Sequence, residues 1–141
     1  MVIDKTLLKN LLDNLKVTIN KIERMDIALE NVLEDEDIQD LLDRRMQVAV
    51  ENCIDIATHL AAGLDLPRKE RASDVFLLLA EKEIISAELA QKLAGAAGLR
   101  NILVHEYMEI DYRLAYSDID EKLLDLKQFG KEVLDFLEKA K

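Results

Sequence analysis

Cysteine and proline each occur once in this chain, as Cys53 and Pro67; tryptophan is absent and glycine occurs four times. A single cysteine excludes an intrachain disulfide and suits a reducing compartment. Cys53 lies in an apolar helical run and reads as a packed thiol rather than a nucleophile. So few breakers favour amphipathic helices over a strand-rich fold. No apolar run approaches the roughly 20 residues that a bilayer span needs. The opening Met1-Val2-Ile3-Asp4-Lys5 has no basic start followed by an apolar stretch, so no signal peptide is read. The expectation is a soluble cytoplasmic protein without membrane association.

Several catalytic constellations are missing too. There is no H-x-x-x-H and no cysteine pair, which speaks against metal hydrolysis; no nucleophile elbow is present either. Neither a metal nor another cofactor is expected. The run Glu34-Asp35-Glu36-Asp37 lacks the alternating spacing and glycine of a calcium loop. Placed just before an apolar run, it reads as negative charge complementing a helix N-terminus.

Half of the residues are hydrophobic, 34% are charged, and the formal net charge is −10. The length suits one domain, residues 1–141, with a substantial core. The acidic balance disfavours non-specific phosphate binding, which needs a basic surface. Arg44-Arg45, and Arg68-Lys69 with Arg71, are the local basic patches that offset it; solvated surface charge is the other reading of each.

Apolar periodicity predicts an all-α chain, an antiparallel bundle of about five helices. The first runs from residue 4 to about 31, and the second from about 36 to 62, with Glu51, Asn52, Asp55 and His59 set in a broad apolar surface. Asp55 and His59 are i, i+4 neighbours, so the carboxylate can orient the imidazole or raise its pKa; an ordinary surface pair is the alternative. Gly63 is expected at C′, with Pro67 blocking continuation. Ser73 is expected to cap a short third helix and Ser86 a fourth. Residues 109–117 read as irregular, and Asp118 with Glu121 resembles a capping box opening the last helix. The fourth helix contains Ala94-Gly95-Ala96-Ala97-Gly98. Each glycine there costs about 1 kcal/mol relative to alanine. Tolerating two predicts a close approach by a neighbouring helix, a second subunit or a ligand, helix packing being the commonest cause. No strand precedes the pair and no G-K-[ST] follows, so this is not a phosphate loop.

The stretch from Leu99 to Tyr107, Leu-Arg-Asn-Ile-Leu-Val-His-Glu-Tyr, closes that helical run. Leu89, Leu93, Ala96, Arg100, Leu103 and Tyr107 share one helical face. Arg100 therefore stands in a row that otherwise reads as core, where a guanidinium must snorkel, pair or serve a site. His105 is about 140° further round the helix. Asn101 and His105 are an i, i+4 pair. Read singly, these residues also suit a capped helix end, with His105 complementing the macrodipole.

Taken together, R-N-x-x-x-H-x-Y resembles the signature of the HEPN superfamily, and specifically of the HepT-like ribonuclease toxins. The resemblance covers length, helix pattern and the motif late in the fourth helix. It implies a dimerising helical bundle that cleaves RNA without a metal, paired with a minimal nucleotidyltransferase antitoxin. In that family the tyrosine matching Tyr107 accepts AMP from the antitoxin, and the second helix packs near the motif helix, which would bring Glu51 or Asp55 towards Arg100. The chemistry fits the residues. Attack of a ribose 2′-OH on its own phosphate needs a proton acceptor, an acid for the leaving oxygen and a cation for the developing charge. His105 titrates in the right range, Arg100 can clamp phosphate bidentately, and Asn101 can hydrogen-bond phosphate or orient His105. One chain offers one histidine here, and a twofold dimer places two motifs in one cleft. Two other readings stay open: a non-catalytic nucleotide- or substrate-binding subunit of a two-component nucleotidyltransferase, and a purely structural helical dimer.

Overall fold

The computed structural model describes residues 2–25, 28–105 and 112–140, the stretch 99–105 by its backbone alone. Among the described residues there are seven helices: α1 (Lys5–Glu23), α2 (Leu29–Glu34), α3 (Glu36–Gly63), α4 (Ala72–Glu81), α5 (Ala87–His105), α6 (Tyr112–Tyr116) and α7 (Ile119–Lys139). No strand is present among them. No helix there is long and apolar enough to cross a membrane.

Four long helices form the bundle, and their directions follow from a few contacts. Asn52 of α3 donates to Thr18 Oγ1 of α1 at 2.9 Å, and Arg45 reaches the Lys21 carbonyl at 2.8 Å, so α1 and α3 are antiparallel. Lys127 pairs with Glu23 at 2.6 Å, and Lys5 Nζ donates to the Ala140 carbonyl, which sets α7 antiparallel to α1. Glu132 accepts from the Ser86 backbone at 2.8 Å and Asp125 pairs with Lys92 at 3.7 Å, so α5 also runs against α7. Hence α5 is parallel to α1 and antiparallel to α3. The end of α5 at residues 99–105 shares one end of the bundle with α2, α6 and the starts of α3 and α7. Leu8, Leu15, Met46, Cys53, Phe76, Leu93 and Phe129 are buried between the helices. Phe76 and Phe129 meet edge to face, 5.6 Å between centroids, tying α4 to α7.

The expected long first helix is two helices. Arg24 ends α1, its N–H reaching the Asn20 carbonyl at 2.9 Å, and Ala28 is extended (φ −73°, ψ 150°). A straight continuation would carry Val32 along the α1 axis; the break turns α2 onto α3 and buries Val32. Gln39 of α3 donates to the Val32 carbonyl at 2.8 Å, satisfying an open carbonyl of α2. The acidic run behaves as its position suggested: Asp35 accepts from the N–H groups of Asp37 and Ile38, and Glu36 and Asp37 occupy the first turn of α3.

Three caps differ from expectation. Gly63 is the last residue of α3, and the left-handed position falls to Asp65 (φ 57°), with Leu66 N–H returning to the Ala61 carbonyl at 2.9 Å. Gly63 has another reason to be glycine, since a Cβ there would stand 2.9 Å from the Val2 carbonyl oxygen. Ser73 lies inside α4, which starts behind Arg71 without a side-chain cap. Asp118 precedes α7 but caps nothing, because its carboxylate pairs with Lys122 at 2.9 Å. The stretch expected to be irregular contains α6, whose two tyrosines are held as described below.

Candidate functional site

Ser86 starts α5 as its sequence position suggested: its hydroxyl accepts from Leu89 N–H at 3.2 Å, and Glu88 sits in the first turn. Leu89, Ala90, Leu93 and Ala97 bury the inner side of the helix. Arg100, Asn101 and His105 occupy its final two turns. By helical register, position 100 continues the row of Leu89, Leu93 and Ala96, while positions 101 and 105 continue the row of Ala94 and Gly98. The two rows differ in surroundings. The first is buried at Leu89 and Leu93. On the second, Gly98 is exposed and an added Cβ would meet no atom within 4 Å. Gly95 is equally open. The close approach expected of these two glycines is therefore not made by a helix of this chain among the described residues. Tyr107 lies outside the described residues.

Opposite α5 stands α3. Met46 and Val50 share a cavity of about 380 Å³ with Leu93, Gly95 and Ala96. Because the helices are antiparallel, moving from Ala96 towards His105 runs past Met46 towards the start of α3. Glu51 is half-buried one residue beyond Val50, on the side of this cavity away from the start of α3. Asp55 lies exposed, further towards the opposite end of the bundle. Its expected pairing with His59 is not formed: both are exposed, and no hydrogen bond or ion pair joins them among the described residues. The basic patches separate in the same way. Arg68, Lys69 and Arg71 follow α3 at the far end. Arg45 is engaged at the end of α1, which leaves the exposed Arg44 on the motif's side.

A cluster near this end escaped sequence reasoning. Asp43 of α3 accepts hydrogen bonds from both α6 tyrosines, from Tyr112 at 2.8 Å and from Tyr116. The rings stack 6.1 Å apart. Burial raises the Asp43 carboxyl above the usual carboxylate range, against the lowering effect of the two hydroxyls, and nearby Asp40 raises it further. Burial and the Asp43 carboxylate push the Tyr112 hydroxyl up to about 12, and Tyr116 is raised for the same reasons. The signal available beforehand was the i, i+4 spacing of Tyr112 and Tyr116, which puts two hydroxyls on one side of a helical turn. Among the described residues no group of three or more His, Cys, Asp or Glu side chains is arranged to hold a metal.

A helical bundle with Arg100, Asn101 and His105 on the last turns of one long helix agrees with the HEPN-type fold that the sequence resembles, and the comparisons point to the same class. The family model described as ribonuclease HepT-like matches residues 15–133, and the chain belongs to that family. It is similar to the mRNA nuclease HepT of Shewanella oneidensis, 35% identical over 92 residues, which cover 65% of this chain and 69% of that one. It is also similar to the tRNA nuclease HepT of Aphanizomenon flos-aquae, 30% identical over 111 residues, covering 79% and 76%. Among solved structures it superimposes on a tri-AMPylated Shewanella oneidensis HEPN toxin in complex with an MNT antitoxin, with a TM-score of 0.84, 29% identity, and 91% of this chain and 96% of that chain covered.

Proposed function

We propose that this chain is a metal-independent endoribonuclease toxin of a toxin–antitoxin pair, acting in the cytoplasm as a homodimer of single-domain chains (residues 1–141). What carries the reading is the placing of Arg100, Asn101 and His105 on the last two turns of α5, in a chain of the ribonuclease HepT-like family. His105 takes the 2′-OH proton of RNA, and Arg100 holds the scissile phosphate while charge builds on it. Asn101, one turn before His105, orients the imidazole or binds phosphate. The leaving 5′ oxygen needs a second acid, and each chain supplies one histidine at this place. The partner copy of the motif fills that role across a twofold cleft. The open surface at Gly95 and Gly98 supports this, since it leaves room on α5 for a second chain or for substrate. Of the two carboxylates, Glu51 lies nearer to the motif along α3 and is the better placed to support the guanidinium; Asp55, further along, is the weaker support.

Regulation falls to a partner nucleotidyltransferase that transfers AMP to Tyr107, the acceptor position that the motif's resemblance gives; a similar toxin is itself tri-AMPylated and in complex with an MNT antitoxin. Each AMP adds negative charge and bulk two residues from His105, where a phosphodiester has to enter. The alternative, a nucleotide- or substrate-binding subunit without catalysis, is favoured by one observation: the formal net charge of −10.

The test is cleavage of RNA in excess EDTA by the purified chain and by His105→Ala, with the intact mass of each measured. Cleavage by the parent alone supports the nuclease. An unmodified parent that binds nucleotide and cuts nothing supports the binding subunit.

A further inference from the structure

Between α1 and α7 lies a groove of about 760 Å³ that plays no part in the motif's end of the bundle. Its floor is aliphatic, built from Leu12, Leu15 and Ile19 of α1 with Leu126 and Leu134 of α7. Its rim is basic in an acidic chain: Lys9 and Lys16 of α1 with Lys127 and Lys131 of α7 outnumber Asp13 and Glu23 of α1. Lys127 is engaged by Glu23 at 2.6 Å. Among the described residues Lys9, Lys16 and Lys131 make no ion pair, and all three are exposed. The groove thus holds a local surplus of positive charge over an apolar bed.

Gly130 forms part of the bed, midway along α7. A Cβ there would stand 3.7 Å from Leu15 Cδ2 and 3.9 Å from Leu12 Cδ2, ordinary van der Waals distances. Alanine would therefore fit and would favour the helix. Packing inside the chain does not require this glycine; what it preserves is depth in the groove.

We propose that this groove is a docking site for one amphipathic helix of a protein partner, with an apolar ridge flanked on both sides by carboxylates. The dimensions suit a helix: Lys9 to Glu23 on α1 spans about 21 Å, or four turns. Helix-in-groove docking places apolar anchors on the floor and charges on the rim. The rim lysines select acidic flanks and disfavour basic ones. A nucleic acid is a poorer match, because the floor has no aromatic side chain on which a base can stack. A second copy of this chain is poorer too. Among the described residues the exposed large hydrophobics of the helices are spread over α1 (Val17), α3 (Leu41), α4 (Leu77), α6 (Leu114) and α7 (Leu124, Leu134) rather than set along one helix.

The inference is independent of the nuclease reading and is tested on the full-length chain. The probes are two helical peptides of about four turns with the same leucine ridge, one flanked by glutamates and one by lysines. They are titrated by backbone-amide NMR and fluorescence anisotropy. The acidic peptide is expected to shift amides of residues 9–20 and 126–134 and to bind about tenfold tighter than the basic one, or better. Lys9→Glu with Lys131→Glu should reverse that preference. Gly130→Leu should weaken binding by about tenfold or more while the melting temperature stays level or rises, so that loss of binding is separated from loss of fold. Equal affinity for both peptides, shifts centred elsewhere, self-association through this face, or indifference to Gly130→Leu would each overturn the proposal.

Discussion

Tyr112 donates a 2.8 Å hydrogen bond to Asp43 across 69 residues of chain, fastening α6 to α3 at the end of the bundle where α5 carries its motif. Tyr116 adds a second bond to the same carboxylate from one helical turn away. Two hydrogen bonds thus fasten a five-residue helix whose Ala115 and Tyr116 are also buried in the core.

The Asp43 carboxyl sets a pH dependence. Its folded pKa is raised, mainly by burial, above the unfolded value of about 3.9. Its contribution to stability is therefore fully present below the unfolded pKa and is lost as pH rises through the folded one. The amide of an Asp43→Asn variant does not titrate, so the stability of wild type minus variant should fall as pH rises above the unfolded value of about 3.9 and through the raised folded one. Urea unfolding over that range measures it. A difference that grows with pH would mean that the tyrosine hydroxyls outweigh burial.

Two glycines should respond with opposite signs. Gly98→Ala meets open space and should stabilise α5 by up to about 1 kcal/mol. Gly63→Ala puts a Cβ 2.9 Å from the Val2 carbonyl and should destabilise by about 1–3 kcal/mol, or release the segment around Val2. Thermal melts of the two variants give the signs. If Gly98→Ala raises stability yet depresses RNA cleavage, the open row is in use by substrate or by a second chain.

Cys53 is fully buried and burial pushes its thiol up, so the thiolate is scarce. The native protein should stay unmodified by a thiol-specific disulfide reagent, and modification should appear only at the rate of unfolding. Rapid reaction in native buffer would show that the helices around Cys53 open locally.

How far the fold could be read in advance depended on the range of the interaction. Ser86 and Asp35 cap within four residues of themselves; Ser86 was legible as a cap, and Asp35 as part of an acidic run placed at a helix N-terminus. The split between α1 and α2 was not, because the apolar spacing continues through it; what breaks the helix is the gain from turning Val32 onto α3. Gly63 was legible as a special position, though for the wrong reason, since its constraint comes from Val2, far away in sequence. The Asp118 capping box lost to Lys122, a competitor that a four-residue pattern does not weigh. The Asp43 cluster joins residues 69 and 73 positions apart, and nothing in the local pattern of α3 marks Asp43 out. The motif was readable because Arg100, Asn101 and His105 lie within six consecutive residues of one helix.

The salt bridge from Glu23 to Lys127 closes the bundle with a helix made more than a hundred residues after the one it covers. On a ribosome adding about 5–20 residues per second, α1 can settle on α3 seconds before α7 exists. Until then the inner side of the bundle lacks Leu126, Phe129 and Val133, which fill it from α7. A nascent chain already carrying the α5 motif is therefore still an open structure, and the interval between making the motif and finishing its scaffold is a window in which the protein is synthesised but not yet assembled.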